Sequence, residues 1–153
     1  MELKIKKLFD DAAIPTRGSE YAAGYDLYAY INNIDDGDHC CTMYIPPHET
    51  RMIHTGIAAA IPHGFFGGIY ARSGLAAKQG LRPANCTGIA DADYRGEVMV
   101  ALHNDTNTVK VVEHGERIAQ LVVQPYYAAD IKIVDDLGDT ERGAGGFGST
   151  GLK

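Results

Sequence analysis

No GxxxxGK[ST] run occurs in the sequence, so the phosphate-cradling loop of P-loop folds is excluded. Positive charge is also scarce: 14 Lys and Arg stand against 20 Asp and Glu, for a formal charge of −6. Nucleic-acid grooves and anionic membrane surfaces attract net-basic patches, so neither is expected as a partner, and any phosphate site must be local. No apolar run approaches the length of a membrane span, and the opening Met1-Glu2-Leu3-Lys4-Ile5-Lys6 lacks the hydrophobic stretch of a signal peptide. A cytoplasmic location is therefore expected. Cysteine is sparse, and Cys40, Cys41 and Cys86 cannot all pair with one another, which argues against a disulfide framework. His39, Cys40, Cys41 and His48 fit the spacing of no familiar zinc module and read as a polar loop with reduced thiols. The histidines at 54, 63, 103 and 114 are scattered, and no Ser/His/Asp grouping emerges from sequence position.

What is present is apolar material for one core, 45% of 153 residues, which points to a single globular domain. Short segments rich in β-branched and aromatic residues recur between turns: Leu3 to Leu8, Tyr25 to Ile31, Thr50 to His54, Phe66 to Ala71, Val98 to His103, Val109 to Val112, Ile118 to Val123 and Ile131 to Val134. Pro46-Pro47, Pro62, Pro83, Pro125 and turns such as Asp36-Gly37 separate them, and no helix-period stretch of useful length survives. One short helix is expected, with Ser73 capping its first turn, Leu75 to Gln79 forming it and Gly80 stopping it in the left-handed conformation. With neither repeats nor a linker, the expected fold is all-β, a jelly-roll or distorted β-barrel single domain. Residues 1–137 would form the β jelly-roll core and 138–153 a flexible glycine-rich arm. The stretch from Asn32 to His48 reads as a surface excursion.

That arm is unusual in composition. Of the ten residues Arg142 to Gly151 five are glycine, joined by one cation, one aromatic ring and two hydroxyls. Such a segment loses much entropy on ordering and is expected to be mobile until a ligand fixes it. Its backbone N–H groups, Arg142, Ser149 and Thr150 suit phosphate oxygens, and Phe147 offers a flat face for a base. Gly143, Gly145 and Gly148 also match GxGxxG, but a dinucleotide fingerprint must follow a strand and open a helix, and here only Ser149 to Lys153 remain.

Three internal segments carry candidate chemistry. Arg72-Ser73-Gly74 opens the expected helix and would set a guanidinium, a hydroxyl and free N–H groups at its positive end, although Ser73 as a plain cap explains the segment as well. In Gly88 to Glu97, two acids, Asp91 and Asp93, sit one residue apart in a small, apolar, hairpin-like stretch. They would converge on one cation or water, divide into a buried and a solvated group, or simply form the turn. In Gly115 to Leu121, alternation places Ile118, Gln120 and Val122 on one face, where the Gln120 amide needs a partner. That partner is a ligand oxygen, a metal-bound water or the backbone. Asp26 similarly opens an apolar strand.

Ala23-Gly24-Tyr25-Asp26-Leu27, Ala71 to Ala76, Asn85 to Glu97, Gly115 to Gln120 and Arg142 to Gly151 occur in this order, and together they resemble the five motifs of the trimeric deoxyuridine triphosphatase family. The resemblance runs from Ala23 to Gly151. It implies a jelly-roll homotrimer with active sites at subunit junctions that hydrolyses dUTP to dUMP and pyrophosphate with Mg²⁺, removing dUTP and supplying dUMP for thymidylate synthesis. Asp91 matches the carboxylate that orients and deprotonates the attacking water, and Mg²⁺ would sit on the triphosphate oxygens. Asp26 matches an acid with a role on metal-bound water or in supporting the site. Arg72, Ser73, Gly74 and Gln120 match phosphate contacts, and Arg142, Ser149 and Thr150 match the closing arm's contacts to the γ-phosphate end. Asn85 and Gly88 match the hairpin that reads the uracil edge, Phe147 the ring that covers the base, and Tyr94 the ring packed on deoxyribose, where it leaves no room for a 2′-hydroxyl.

Departures from the family pattern are small. Ala90 stands where a larger aliphatic is usual and is expected to loosen local packing, Glu116 replaces an aspartate, and Ala144 fills a variable slot. Two alternatives are a dCTP deaminase on the same fold, which needs a glutamate at the base ring, and a non-catalytic nucleotide sensor. The Asp91-Ala92-Asp93-Tyr94-Arg95-Gly96 segment resembles the triphosphatase pattern and disfavours the first. The second usually lacks a catalytic group, and every expected group is present.

Overall fold

The computed structural model describes residues 1–32 and 41–146. The chain runs through β1 (Lys4–Lys7), β2 (Thr16–Arg17), β3 (Tyr25–Tyr28), β4 (Thr42–Ile45), β5 (Thr50–Ile53) and β6 (Ile57–Ala60). It continues through β7 (Phe65–Tyr70), one helical turn (Leu75–Gln79), β8 (Leu81–Pro83), β9 (Thr87–Ala90), β10 (Val100–Asn104), β11 (Lys110–Glu113) and β12 (Arg117–Pro125). All pairings among the described strands are antiparallel, and the largest sheet has the order β2-β3-β12-β7-β9. Smaller ladders, β5-β10-β8, β11-β4 and β1-β6, complete a jelly-roll with one core.

β12 is held between β3 and β7, and where its register with β3 shifts between Arg117 and Ala119 the consecutive residues Ile118 and Ala119 are both buried. Ile118, Ala119 and Leu121 are wholly inaccessible, and Leu27, Ile45, Leu81, Leu102 and Val112 join them from other strands. β7 accepts β12 closely because it carries two glycines. A Cβ on Gly67 would lie 2.9 Å from Leu121 Cδ1, and one on Gly68 would lie 2.5 Å from the Tyr70 ring and 2.9 Å from Gln124 Oε1. Ala90 faces Gly67 across the β7-β9 ladder and is buried, and the same hypothetical Gly67 Cβ would stand 3.3 Å from its methyl. Close packing there, and not the looseness expected, goes with the small side chain. At the end of β10, the buried Asn104 amide donates to the carbonyls of Ile45, Pro46 and Thr108 at 2.8–3.1 Å and accepts from Thr106, tying two turns together.

Several expectations need correction. Gly80 ends the helical turn at φ 67°, as expected, with its N–H on the carbonyls of Ala76 and Leu75. Ser73 does not cap it, because the flanking position falls on Gly74 and no side chain bonds the free N–H groups. Within the supposed surface excursion, Thr42–Ile45 is a strand paired with β11, and its Ile45 is a core residue. His39, Cys40 and the Asp36-Gly37 turn lie outside the described residues, while Cys41 and Cys86 are exposed free thiols. Ile131 to Val134 joins no sheet of this chain: residues 126–146 hold no strand, and Ile131 and Ile133 are 95% and 94% exposed. Among the described residues no helix is long and apolar enough to cross a membrane.

Candidate active site

Two hollows collect most of the motif residues. The first, about 260 Å³, forms where β9 leaves the sheet and is lined by Asn85, Gly88, Asp91, Tyr94 and Glu97 among others. Gly88 is necessary to it, because a Cβ there would lie 3.2 Å from Ile69 Cβ and 3.4 Å from the Asn85 amide nitrogen. Without that atom, the Asn85 amide can lie over the strand. After Ala90 the chain makes a tight turn in which Tyr94 N–H donates to the Asp91 carbonyl at 3.1 Å. Arg95 holds the turn by donating from Nη1 to the carbonyls of Ala92 and Tyr94, at 2.7 and 2.8 Å.

The turn decides between the readings of the two acids. Both are exposed, so there is no split into a buried and a solvated group. Asp91 lines the first hollow without Asp93, and both border a further hollow with His63, Arg95 and Tyr126. The Asp91 carboxylate has no hydrogen-bond or ion-pair partner among the described residues. It stands one residue past the end of β9 and is exposed to solvent.

The second hollow, about 310 Å³, is lined by Arg72, Ser73, Gly74, Lys78, Glu116 and Gln120 with neighbours on the helical turn. Its cation is held from behind. Arg72 Nε donates to Asp26 Oδ1 at 2.9 Å, its Nη1 donates to the Arg117 carbonyl at 3.3 Å, and remaining N–H groups are left for an anion. Asp26 is only 3% exposed, and it also accepts from Arg117 Nη1 at 3.3 Å and from the Gln120 amide at 3.4 Å. Gln120 thus finds its protein partner in a carboxylate. Gly24 makes room for it, since a Cβ there would stand 3.2 Å from Gln120 Cβ. Glu116 Oε2 accepts the Glu113 N–H at 3.2 Å, so the longer acid closes the turn before β12.

Arg117 was not expected at this site. Strict alternation would send residues 117 and 120 to opposite faces, but the β3-β12 register shifts between Arg117 and Ala119, and the irregularity lets both reach Asp26. An Arg three residues before a strand glutamine carries no sequence signal for a bulge. Lys78 and Glu97 were likewise unmarked. Arg142 lies in neither hollow; its Nε donates to the Gly145 carbonyl at 2.8 Å. Phe147, Ser149 and Thr150 lie outside the described residues.

The donor set does not make a cage for a resident cation. No group of three or more His, Cys, Asp or Glu side chains gathers among the described residues. Asp26, the acid considered for a metal role, has its oxygens engaged by two guanidinium groups and an amide, an environment that suits an anion-holding arginine and repels Mg²⁺.

A family model described as dUTPase matches residues 10–151. The chain belongs to the dUTPase family. It is 46% identical over 151 residues to the deoxyuridine 5′-triphosphate nucleotidohydrolase of Nautilia profundicola, covering 99% of each chain, and 45% identical to that of a Picosynechococcus species, with the same coverage. Among solved structures it is similar to the Staphylococcus bacteriophage 80alpha dUTPase with dUPNHPP, at a TM-score of 0.84 and 30% identity over 99% of both chains. Within this dUTPase-family chain the first hollow gathers residues of the third motif and the second those of the second and fourth, with Asp26 of the first motif bonded to Arg72 and Gln120.

Proposed function

We infer that the protein is a dUTP diphosphatase, hydrolysing dUTP to dUMP and pyrophosphate, with Asp91 as the general base. The observation that carries the mechanism is the partnerless Asp91 carboxylate beside Asn85, Gly88 and Tyr94 in one hollow. An ionised carboxylate open to solvent accepts a proton from a water, and the hollow would hold the nucleoside so that this water faces the α-phosphorus. A new bond forms from the water oxygen to that phosphorus, the bond to the bridging oxygen of the β-phosphate breaks, pyrophosphate leaves, and the proton passes to Asp91. Asn85 and the backbone at Gly88 would read the uracil edge, and the Tyr94 ring would lie against deoxyribose. Arg72, Ser73, Gly74 and Gln120 would hold phosphate oxygens, with Arg142, Ser149, Thr150 and Phe147 closing over the ligand from the 138–153 arm. Since the described residues offer no cage for a cation, Mg²⁺ would arrive on the triphosphate as part of the substrate and neutralise its charge.

The division of the residues between two hollows supports a site shared between subunits of a homotrimer. So does the segment after β12, where Ile131, Ile133 and Leu137 are at least 94% exposed and call for cover from another chain. A deaminase is less well supported. The glutamate at the nucleoside hollow, Glu97, has Oε1 bonded to the N–H groups of Thr55 and Gly56 and Oε2 to His54, which leaves it no role at a base ring.

The test is Asp91→Asn, assayed by proton release and product identification with dUTP, dCTP, dTTP and UTP. Loss of the base is expected to lower kcat by about 10²- to 10⁴-fold while nucleotide still binds. Undiminished hydrolysis would sink the assignment of Asp91, and preference for dCTP with release of ammonia would sink that of the reaction.

A further inference from the structure

We propose that Glu97 is a positioning residue for sugar selection, setting the depth of the Tyr94 ring by anchoring it to the corner between β5 and β6. This rests on the reading of Tyr94 as the ring that meets deoxyribose. The Tyr94 side chain folds back over its own turn: a Cβ on Gly96 would fall 2.4 Å from the phenol oxygen and 2.6 Å from Cζ, so only glycine admits the ring there. The phenol then donates to the Glu97 carbonyl at 3.0 Å, which fixes the ring to the Glu97 backbone.

Glu97 is in turn fixed to a different part of the fold. Its Oε1 accepts the N–H groups of Thr55 at 3.1 Å and Gly56 at 2.8 Å, and its Oε2 meets His54 Nδ1 at 2.7 Å. The carboxylate is 16% exposed, whereas His54 is 54% exposed. The two backbone bonds, shielded and charge-assisted, are therefore the stronger hold. The corner they grip is rigid. Gly56 sits at φ 69° with no room for a Cβ, which would stand 2.8 Å from the Ala12 methyl, and Thr55 Oγ1 donates to the Val98 carbonyl. One residue beyond Glu97, Val98 N–H donates to the Ile57 carbonyl at 2.9 Å. The Glu97 backbone that holds the ring is thus tied to the core twice, by its bridge to Ala58 and the Val98–Ile57 bond and by its own side chain. Asp91 follows directly on β9, whose ladder with β7 does not involve Glu97, although its carbonyl also accepts the Tyr94 N–H, so loosening Glu97 should move the ring more than the base.

The experiment compares kcat and KM for dUTP and UTP in the unmodified protein and in Glu97→Ala, Glu97→Asp, Glu97→Gln and Tyr94→Phe, with circular dichroism and thermal melting confirming a folded chain. Glu97→Ala is expected to lower the dUTP-to-UTP ratio of kcat/KM by about tenfold, through a higher KM for dUTP and a lower one for UTP, with kcat for dUTP held within about twofold. Should that variant fail to fold, Glu97→Asp keeps the charge but falls a methylene short of both N–H groups, and the same loss of discrimination is expected from it. Glu97→Gln still presents an oxygen to Thr55 and Gly56 and should restore most of the ratio. Tyr94→Phe should relax discrimination as Glu97→Ala does, with the double variant no worse than the poorer single one, since both act on one linkage. Unchanged discrimination in a folded Glu97→Ala or Glu97→Asp protein overturns the proposal, as does a fall in kcat alone or additive losses in the double variant. If the unmodified protein hydrolyses no dUTP, the proposed function itself has failed, a result distinct from any of these.

Discussion

Asp26→Asn isolates the question of what the buried acid does, because it keeps the shape of the side chain and removes its charge. The lost interactions differ in worth. The Arg72 pair joins a side chain 27% exposed to one 5% exposed, while Arg117 is 51% exposed and its contact is screened by water. Breaking a fully buried pair costs about 3–5 kcal/mol; partial exposure of Arg72 reduces its share to about 2 kcal/mol, and the Arg117 contact adds about 0–1 kcal/mol. A total of about 2–3 kcal/mol should lower Tm by roughly 5–10 °C in a domain of this size. Melting must be compared at one protomer concentration, because assembly of the proposed trimer would shift the midpoint by mass action. The second readout is KM for dUTP, which should rise roughly tenfold as Arg72 loses its hold, the worth of one charge-assisted hydrogen bond. Titration with Mg²⁺ then separates two roles. An acid acting on metal-bound water would be compensated by excess Mg²⁺, whereas an acid that holds an arginine would not. An unchanged Tm together with full recovery of KM at high Mg²⁺ would refute the reasoning.

Truncation after Gly138 should leave a folded, associated protein with little activity, because no described residue beyond it belongs to the core; sedimentation and dUTP turnover check this, and loss of folding would contradict it. Tyr30 gives an alkaline signature. Burial, then donation to Asp11 at 2.9 Å, pushes its phenol above the usual value, with an opposing contribution from Asn32. The folded state thus favours the protonated phenol, and this stabilisation is complete below about pH 10 and is lost as pH rises through the folded value. Urea melts between about pH 9 and 11 should show the unmodified protein losing more stability than Tyr30→Phe, and parallel losses would exclude the assignment.

The strands legible in the sequence are those with β-branched residues between turn signals, such as Tyr25–Tyr28, Thr50–Ile53 and Val100–Asn104. Ile57–Ala60 escaped because three alanines in succession carry neither alternation nor β preference; tertiary pairing with β1 makes it a strand. Thr42–Ile45 was masked by the cysteines and prolines around it, although Ile45 is among the most deeply buried residues. Ile131 to Val134 failed in the opposite sense. Its pattern is that of a strand, yet no strand among the described residues pairs with it, and a periodicity cannot say where the partner that would satisfy it lies.

The same limit separates the two kinds of residue at the site. Most of the polar residues that line the hollows fall within contiguous motifs and could be named from them, Lys78 and Glu97 being exceptions. Those that hold them could not, since Arg117 depends on a bulge, Gly96 on the fold-back of one ring, and Glu97 on a corner 41 to 43 residues earlier in the chain. What distinguishes the acids, once the fold is known, is saturation. Asp26 and Glu97 have both carboxylate oxygens engaged, by arginines in one case and by backbone N–H groups and a histidine in the other. Such an oxygen can accept a proton only by giving up bonds that the fold needs, so these acids are suited to positioning. Asp91 has no partner among the described residues and sits at the end of a paired strand, so it alone of the three can take a proton from water without loosening the structure around it.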